Sequence, residues 1–169
     1  EGPMGKCFDR IETDSHFGQK TWEQAESRMQ QETIYHALEK TALSPDDIDI
    51  ILAGDLINQC TSSTYSLRPF GVPFLGLFGA CSTSGEALAL ASMSVAAGYG
   101  DYMLAVTSSH FGSAEKEFRF PLSYASQRPL SAQWTVTASG AFLVGKRKSH
   151  VKITGITVGK IVDWDLKDS

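Results

Sequence analysis

A helix with no polar face is the feature that most restricts how this chain can fold. Residues 84–97 carry Ala87, Leu88, Ala89, Leu90, Ala91, Met93, Val95, Ala96 and Ala97, with only Glu86 and a few serines for contrast. A surface helix shows one polar face. This one belongs centrally, packed between layers, its small residues admitting close neighbours. Just before it, Val72-Pro73-Phe74-Leu75-Gly76-Leu77-Phe78-Gly79-Ala80 reads as a buried strand, and Cys81 falls at the junction. Thr83 with Glu86 three residues later has the spacing of a capping box, which makes Thr83 the expected N-cap. A sulfur two residues before an N-cap lies near unpaired N–H groups and the positive end of a helix dipole. Such a place lowers a thiol's pKa and also holds anions. The turn therefore predicts a nucleophile or an anion pocket, and by itself does not choose between them.

The rest of the composition narrows the function classes. The 169 residues suit one domain with a substantial core, and 42% hydrophobic against 20% charged residues is ordinary for a globular protein. With 15 basic and 19 acidic residues, a net charge of −4 and no long run of either sign, nucleic acid is a poor partner. No apolar stretch approaches the roughly 20 residues a membrane span needs. Cys7, Cys60 and Cys81 are odd in number and contain no CxxC pair. That argues against a disulfide framework and a structural zinc site, and for a reducing compartment. The opening Glu1-Gly2-Pro3 and the abrupt end after Val162 read as those of a fragment.

Along the chain, the stretch to Lys20 reads as a loop or a ligand-proximal arm. Thr21 and Gln24 suggest a capping box for a helix running to about Ala42, with Trp22, Ala25, Met29, Thr33 and Ala37 on one face. Glu23, Glu26, Gln30 and Lys40 are expected to point largely outward. Ser44-Pro45-Asp46-Asp47 predicts a short capped turn, and residues 48–56 a strand ending in Gly54-Asp55. A polar loop over 58–68 leads to the strand before Cys81. Residues 102–106 form the next strand, ending in Thr107-Ser108-Ser109-His110, and 111–133 read as a long loop. Two closing strands are expected near 134–145 and 151–160, antiparallel and joined by Lys146-Arg147-Lys148. Helices alternating with buried strands predict an α/β fold with a mostly parallel, mixed sheet.

In open α/β sheets ligands gather at the carboxyl ends of strands, where Asp55, Cys81 and His110 each stand. Each has an ordinary alternative. Cys81 could be a small buried hydrophobe, Asp55 a turn or cap residue, His110 a satisfied structural histidine. As a ligand, Asp55 would orient other groups or hold calcium rather than touch an anion, and His110 would donate to a carboxylate. Arg119, in Phe118-Arg119-Phe120-Pro121, has the fork geometry to clamp a carboxylate, with a surface salt bridge as its alternative.

Several motifs occurring in order carry a resemblance. Leu43-Ser44-Pro45-Asp46-Asp47-Ile48-Asp49-Ile50-Ile51 and the turn Gly79-Ala80-Cys81-Ser82-Thr83-Ser84 resemble the thiolase superfamily. Ala53-Gly54-Asp55-Leu56, Phe78-Gly79-Ala80-Cys81-Ser82-Thr83-Ser84, Thr107-Ser108-Ser109-His110, Phe118-Arg119-Phe120-Pro121 and Thr135-Val136-Thr137-Ala138-Ser139-Gly140-Ala141 together resemble the stage V sporulation protein AD family. The resemblance implies one half of a thiolase-like, two-half αβαβα sandwich with a central buried helix. Residues 1–169 would be a single incomplete N-terminal half, without its first strand and without the C-terminal half.

It also implies a sporulation protein that binds dipicolinate (pyridine-2,6-dicarboxylate) for uptake with calcium into the developing spore. Its partners would be dipicolinate or calcium dipicolinate and the membrane proteins of that transport system, with a homodimer among the expected assemblies. It would be cytoplasmic, peripheral at the forespore inner membrane through those partners, and would need no cofactor and no resident metal. The expected ligand-binding residues are Cys81, Ser82, His110, Arg119 and Asp55. The alternative is a condensing acyltransferase with Cys81 as catalytic nucleophile. The histidines that assist such a cysteine come from the second half of the fold, and His110 does not match them. A third reading is a structural partner in a membrane assembly, with a decayed site.

Overall fold

Strand β1 (Ile50–Gly54) runs through the middle of a four-stranded sheet, and everything at the site is positioned from it. The computed structural model describes residues 4–57, 60–118 and 135–165, with the side chains of 115–118 excepted. The sheet order is β2 (Phe74–Gly76), β1, β3 (Tyr102–Ser109), β4 (Ala138–Gly145). β1 is parallel to β2 and to β3, while β4 is antiparallel to β3 over its whole length, from Tyr102 opposite Gly145 to Ser109 opposite Ala138.

Strand alternation divides the core into two layers. Ile51 and Ala53 of β1 and Leu104 and Val106 of β3 face α1 (Trp22–Thr41) and α2 (Thr61–Leu67), meeting Ile34, Leu38, Leu67 and Phe70. Leu52, Met103 and Ala105 face the other way, onto Ala87, Ala91 and Val95 of α3 (Thr83–Ala97). Each fully buried Leu or Ile contributes about 1.5–3 kcal/mol. The small inward residues of α3 recur every four positions, so its backbone lies close to the sheet. Its outer apolar positions, such as Met93 and Ala97, are exposed in this chain.

Helix α1 starts and stops on local chemistry. Thr21 Oγ1 accepts from Gln24 N at 3.2 Å, and Ala42 closes the helix in the left-handed conformation at φ 55°. At residues Pro45–Asp47 the short 3-10 turn is held by the Asp47 carboxylate, which accepts from both Ser44 N and Ser44 Oγ.

Five sequence expectations are corrected. Glu26 and Gln30 of α1 do not point outward; both are fully buried. They face the hydroxyl-rich helix α2, which occupies a stretch expected to be loop, because Ser63 and Ser66 find buried partners that composition cannot reveal. Residues Phe111–Phe118, also expected as loop, form helix α4. Residues 151–160 are exposed and form no strand, so β4 pairs with β3 instead. Finally, Thr83 is not the N-cap: it is already helical at φ −55°, ψ −37°. Its hydroxyl accepts from Gly79 N and donates to Ala80 O, both at 2.9 Å, so it closes the preceding 3-10 turn (Ala80–Ser82) rather than a free helix end. Among the described residues no helix is long and apolar enough to cross a membrane.

Candidate functional site

The carboxyl ends of β1 and β3 open into a cleft of about 630 Å³. Gly54, Asp55 and Leu56 line it from β1, and Thr107, Ser108 and Ser109 from β3. Ala80, Cys81, Thr83 and Ser84 come from the turn into α3, and Ala138, Ser139, Gly140 and Phe142 from β4. Phe8 of the N-terminal arm and Val136 complete a lining that is mostly apolar.

The cysteine turn is held under local strain. Ala80 stands at φ 48°, a left-handed conformation that costs a residue with a Cβ about 1–2 kcal/mol. The two Thr83 hydrogen bonds brace it. Gly54 lets the turn approach: a Cβ there would run into the Leu77 carbonyl oxygen and Thr83 Cγ2. Cys81 itself is exposed and lines the cleft. Its neighbour Ser82 turns back, donating to Gly79 O at 2.7 Å, and does not line the cleft. Cys60 is the buried thiol, 3.1 Å from Leu77 O, with burial raising its pKa.

Asp55 lines the cleft but its carboxylate is engaged behind it. Oδ1 accepts from Ile57 N at 2.9 Å, and Oδ2 accepts from Ser63 N at 2.7 Å and Ser63 Oγ at 2.6 Å. It thus caps α2 from outside the helix, eight residues upstream. His110 is 2% exposed and does not line the cleft. Its Nε2 donates to Ser15 O at 2.8 Å, and its Nδ1 accepts from Gly112 N at 3.0 Å, which defines the neutral tautomer. Burial lowers its pKa. Trp22 packs between it and His16, stacked on His16 at 3.7 Å, so His110 anchors the N-terminal arm. Arg119 lies outside the described residues. The structure therefore brings Cys81 and Asp55 to one cleft and leaves Ser82 and His110 outside it.

Sequence reasoning missed what lies under the floor. Ser63 Oγ, bonded to Asp55, accepts from Gln30 Nε2 at 3.1 Å. Gln30 Nε2 also reaches Ser108 Oγ at 3.1 Å, and Ser108 Oγ in turn donates to Glu26 Oε1 at 3.0 Å. Glu26 Oε2 accepts from Ser113 Oγ at 2.6 Å. Burial pushes the Glu26 carboxyl up to about 7; the Ser113 and Ser108 hydrogen bonds oppose this, and the Asp55 charge reinforces it. The available signal was Thr107-Ser108-Ser109, three hydroxyls at the end of an otherwise apolar strand.

A mixed sheet whose strand ends surround a cysteine turn leading into a small-residue helix is a thiolase-like fold. The solved structures it resembles agree. 3-Oxoacyl-[acyl-carrier-protein] synthase III from Aquifex aeolicus VF5 superposes with a TM-score of 0.55 at 19% identity, over 78% of this chain and 40% of that one. The synthase III from Thermus thermophilus gives 0.53 at 19%, over 74% and 38%. At these identities the likeness is one of fold. Over residues 1–169 the chain matches the family model Stage V sporulation protein AD, and it belongs to that family. It is 44% identical over 168 residues to Stage V sporulation protein AD of Bacillus subtilis (strain 168), covering 99% of this chain and 50% of the relative. The chain thus spans half the length of the curated relative it matches.

Proposed function

We propose that this chain contributes a dipicolinate-binding cleft to a sporulation protein that serves uptake of dipicolinate with calcium into the developing spore. The protein would work peripherally at the forespore inner membrane, through the membrane proteins of the same transport system. The observation that carries this reading is the family match along the whole chain, with Cys81 in the cleft. The chemistry of the cleft supports it: Phe8, Val136 and Phe142 offer walls to a flat ring, and Thr107 and Ser84 bring hydroxyl-bearing side chains to the lining. The test is calorimetric titration of dipicolinate, with and without calcium, into the full-length protein and its Cys81→Ala form. Saturable binding weakened by the substitution is the expected result; no binding by the folded wild type would reject the reading.

Condensing acyl transfer is the second reading, favoured by the exposed Cys81 on its strained turn. A cysteine needs a base to act as a nucleophile in this way. Both ring nitrogens of His110 are engaged away from the cleft, and among the described residues no histidine lines it. Incubation of the full-length protein with acyl-thioesters, followed by mass analysis of Cys81, separates the two readings.

A further inference from the structure

The N-terminal arm is tied to the fold along its length. It runs beside α1 in the reverse direction: Ser15 lies at the Trp22 end, Arg10 over Glu32, and Asp9 by Lys40 near the last turn. Asp9 Oδ1 accepts from Lys40 Nζ at 2.8 Å, and Arg10 Nη1 stands 2.7 Å from Glu32 Oε2. Asp9, Arg10 and Lys40 are exposed, so water and salt weaken both pairs. The firm attachment is the buried one. His110 Nε2 donates to Ser15 O, and Trp22 packs between His16 and His110. Gly112 lies so close to the Trp22 ring that a Cβ would run into it. From there the arm braces itself: Glu12 Oε1 accepts from Thr13 N and Asp14 N, and the Asp14 carboxylate from His16 N and Gly18 N.

The arm reaches the cleft at Phe8. Helix α1 covers the sheet face of Leu104 and Val106, whereas Phe142, opposite Ala105 in register, stands on the other face. β4 is the outer strand of the sheet, so an arm held by Lys40 at Asp9 and lining the cleft at Phe8 rounds its edge. Phe8 is 55% exposed and Phe142 47%. Two exposed rings lining one cleft offer faces on which a flat aromatic ligand can stack. We propose that the arm forms one wall of the cleft, that the pyridine ring of dipicolinate stacks on Phe8, and that His110 serves binding by holding the arm rather than by touching the ligand. The inference rests on the dipicolinate reading above and adds to it a contact residue, Phe8, and a positioning residue, His110.

The experiment is calorimetric titration of dipicolinate into the full-length protein and its variants, with trypsin cleavage after Arg10 followed in parallel. Phe8→Ala should bind about tenfold more weakly, the loss of one stacking contact, and Phe8→Trp, which keeps a ring, should bind like the wild type. His110→Asn can still accept from Gly112 N but cannot reach Ser15 O. It should weaken binding by a similar factor and speed cleavage after Arg10 without ligand. His110→Gln, whose amide can still donate to Ser15 O, should restore both. Because the two residues act through one wall, Phe8→Ala with His110→Asn should bind no more weakly than the weaker single variant. Wild-type affinity in Phe8→Ala, or losses that multiply in the double variant, would overturn this proposal and leave the dipicolinate reading standing. If His110→Asn does not fold, the cleavage decides: saturating dipicolinate should slow it in the wild type and not in Phe8→Ala, and equal protection would overturn the proposal. No binding by the folded wild type would overturn both.

Discussion

Asp55 and Glu26, two buried carboxylates from different elements, are joined through Ser63, Gln30 and Ser108 by an unbroken hydrogen-bonded chain beneath the cleft. Gln30 is its centre: its Nε2 also lies 3.4 Å from Gly54 O, and its Oε1 accepts from Ser66 Oγ. A buried network of this kind is rigid when every member is satisfied and costly when one is lost.

Gln30→Ala should therefore destabilise the protein by about 2–4 kcal/mol, combining a cavity with orphaned polar groups. Urea unfolding followed by tryptophan fluorescence reads this directly. A loss below about 0.5 kcal/mol, the level of an ordinary surface change, would mean that the network does not hold the fold.

Glu26 makes stability depend on pH. Its carboxyl is raised from 4.5 to about 7, so between those values the folded state keeps a proton that the unfolded chain has released. Stability should fall as pH rises through that window and level off above it. The penalty above the window is on the order of 3 kcal/mol. Glu26→Gln should show a flatter profile and exceed the wild type in alkaline solution. Parallel slopes for the two proteins would contradict the assignment.

Asp55 holds two backbone N–H groups and one hydroxyl, all buried, so its first duty is structural. Asp55→Ala should cost about 2–4 kcal/mol by leaving these donors without an acceptor. Hydrogen exchange at Ile57 and Ser63 should rise most. Unchanged protection there, with loss of ligand binding, would instead make Asp55 a direct ligand.

The three thiols should differ in reactivity. Cys7 and Cys81 are exposed, while Cys60 is buried with a raised pKa. Iodoacetamide should modify Cys60 last, and dipicolinate should protect Cys81 without protecting Cys7. Protection of neither would move the ligand away from the cysteine turn.

Gly54 has no room for a methyl group, because the Leu77 carbonyl and Thr83 both lie against it. Gly54→Ala should displace the Cys81 turn and lower stability by about 1–3 kcal/mol. A variant as stable as the wild type, with unaltered Cys81 reactivity, would show that the turn does not depend on this approach.

Much of the architecture was legible in the sequence because it depends on neighbours along the chain. The cap at Thr21, the helix end near Ala42, the continuous apolar runs of β1 and β3, and the featureless apolarity of α3 all follow from short-range pattern. The buried polar network could not be read this way. Glu26, Gln30 and the serines of α2 look like solvent-facing residues until three elements converge on them. Ser108 meets Glu26 across 82 positions of sequence, and Gln30 across 78. His110 shows the same limit: its partner Ser15 is 95 residues away, and that bond turns a strand-end histidine into an anchor for the arm. The sequence by itself determined the family, the alternation of strands and helices, and a cysteine at the mouth of a helix. Only the tertiary structure decided which polar groups are buried together, because a group's charge and hydrogen bonding depend on what is removed from water beside it, and periodicity carries no record of that.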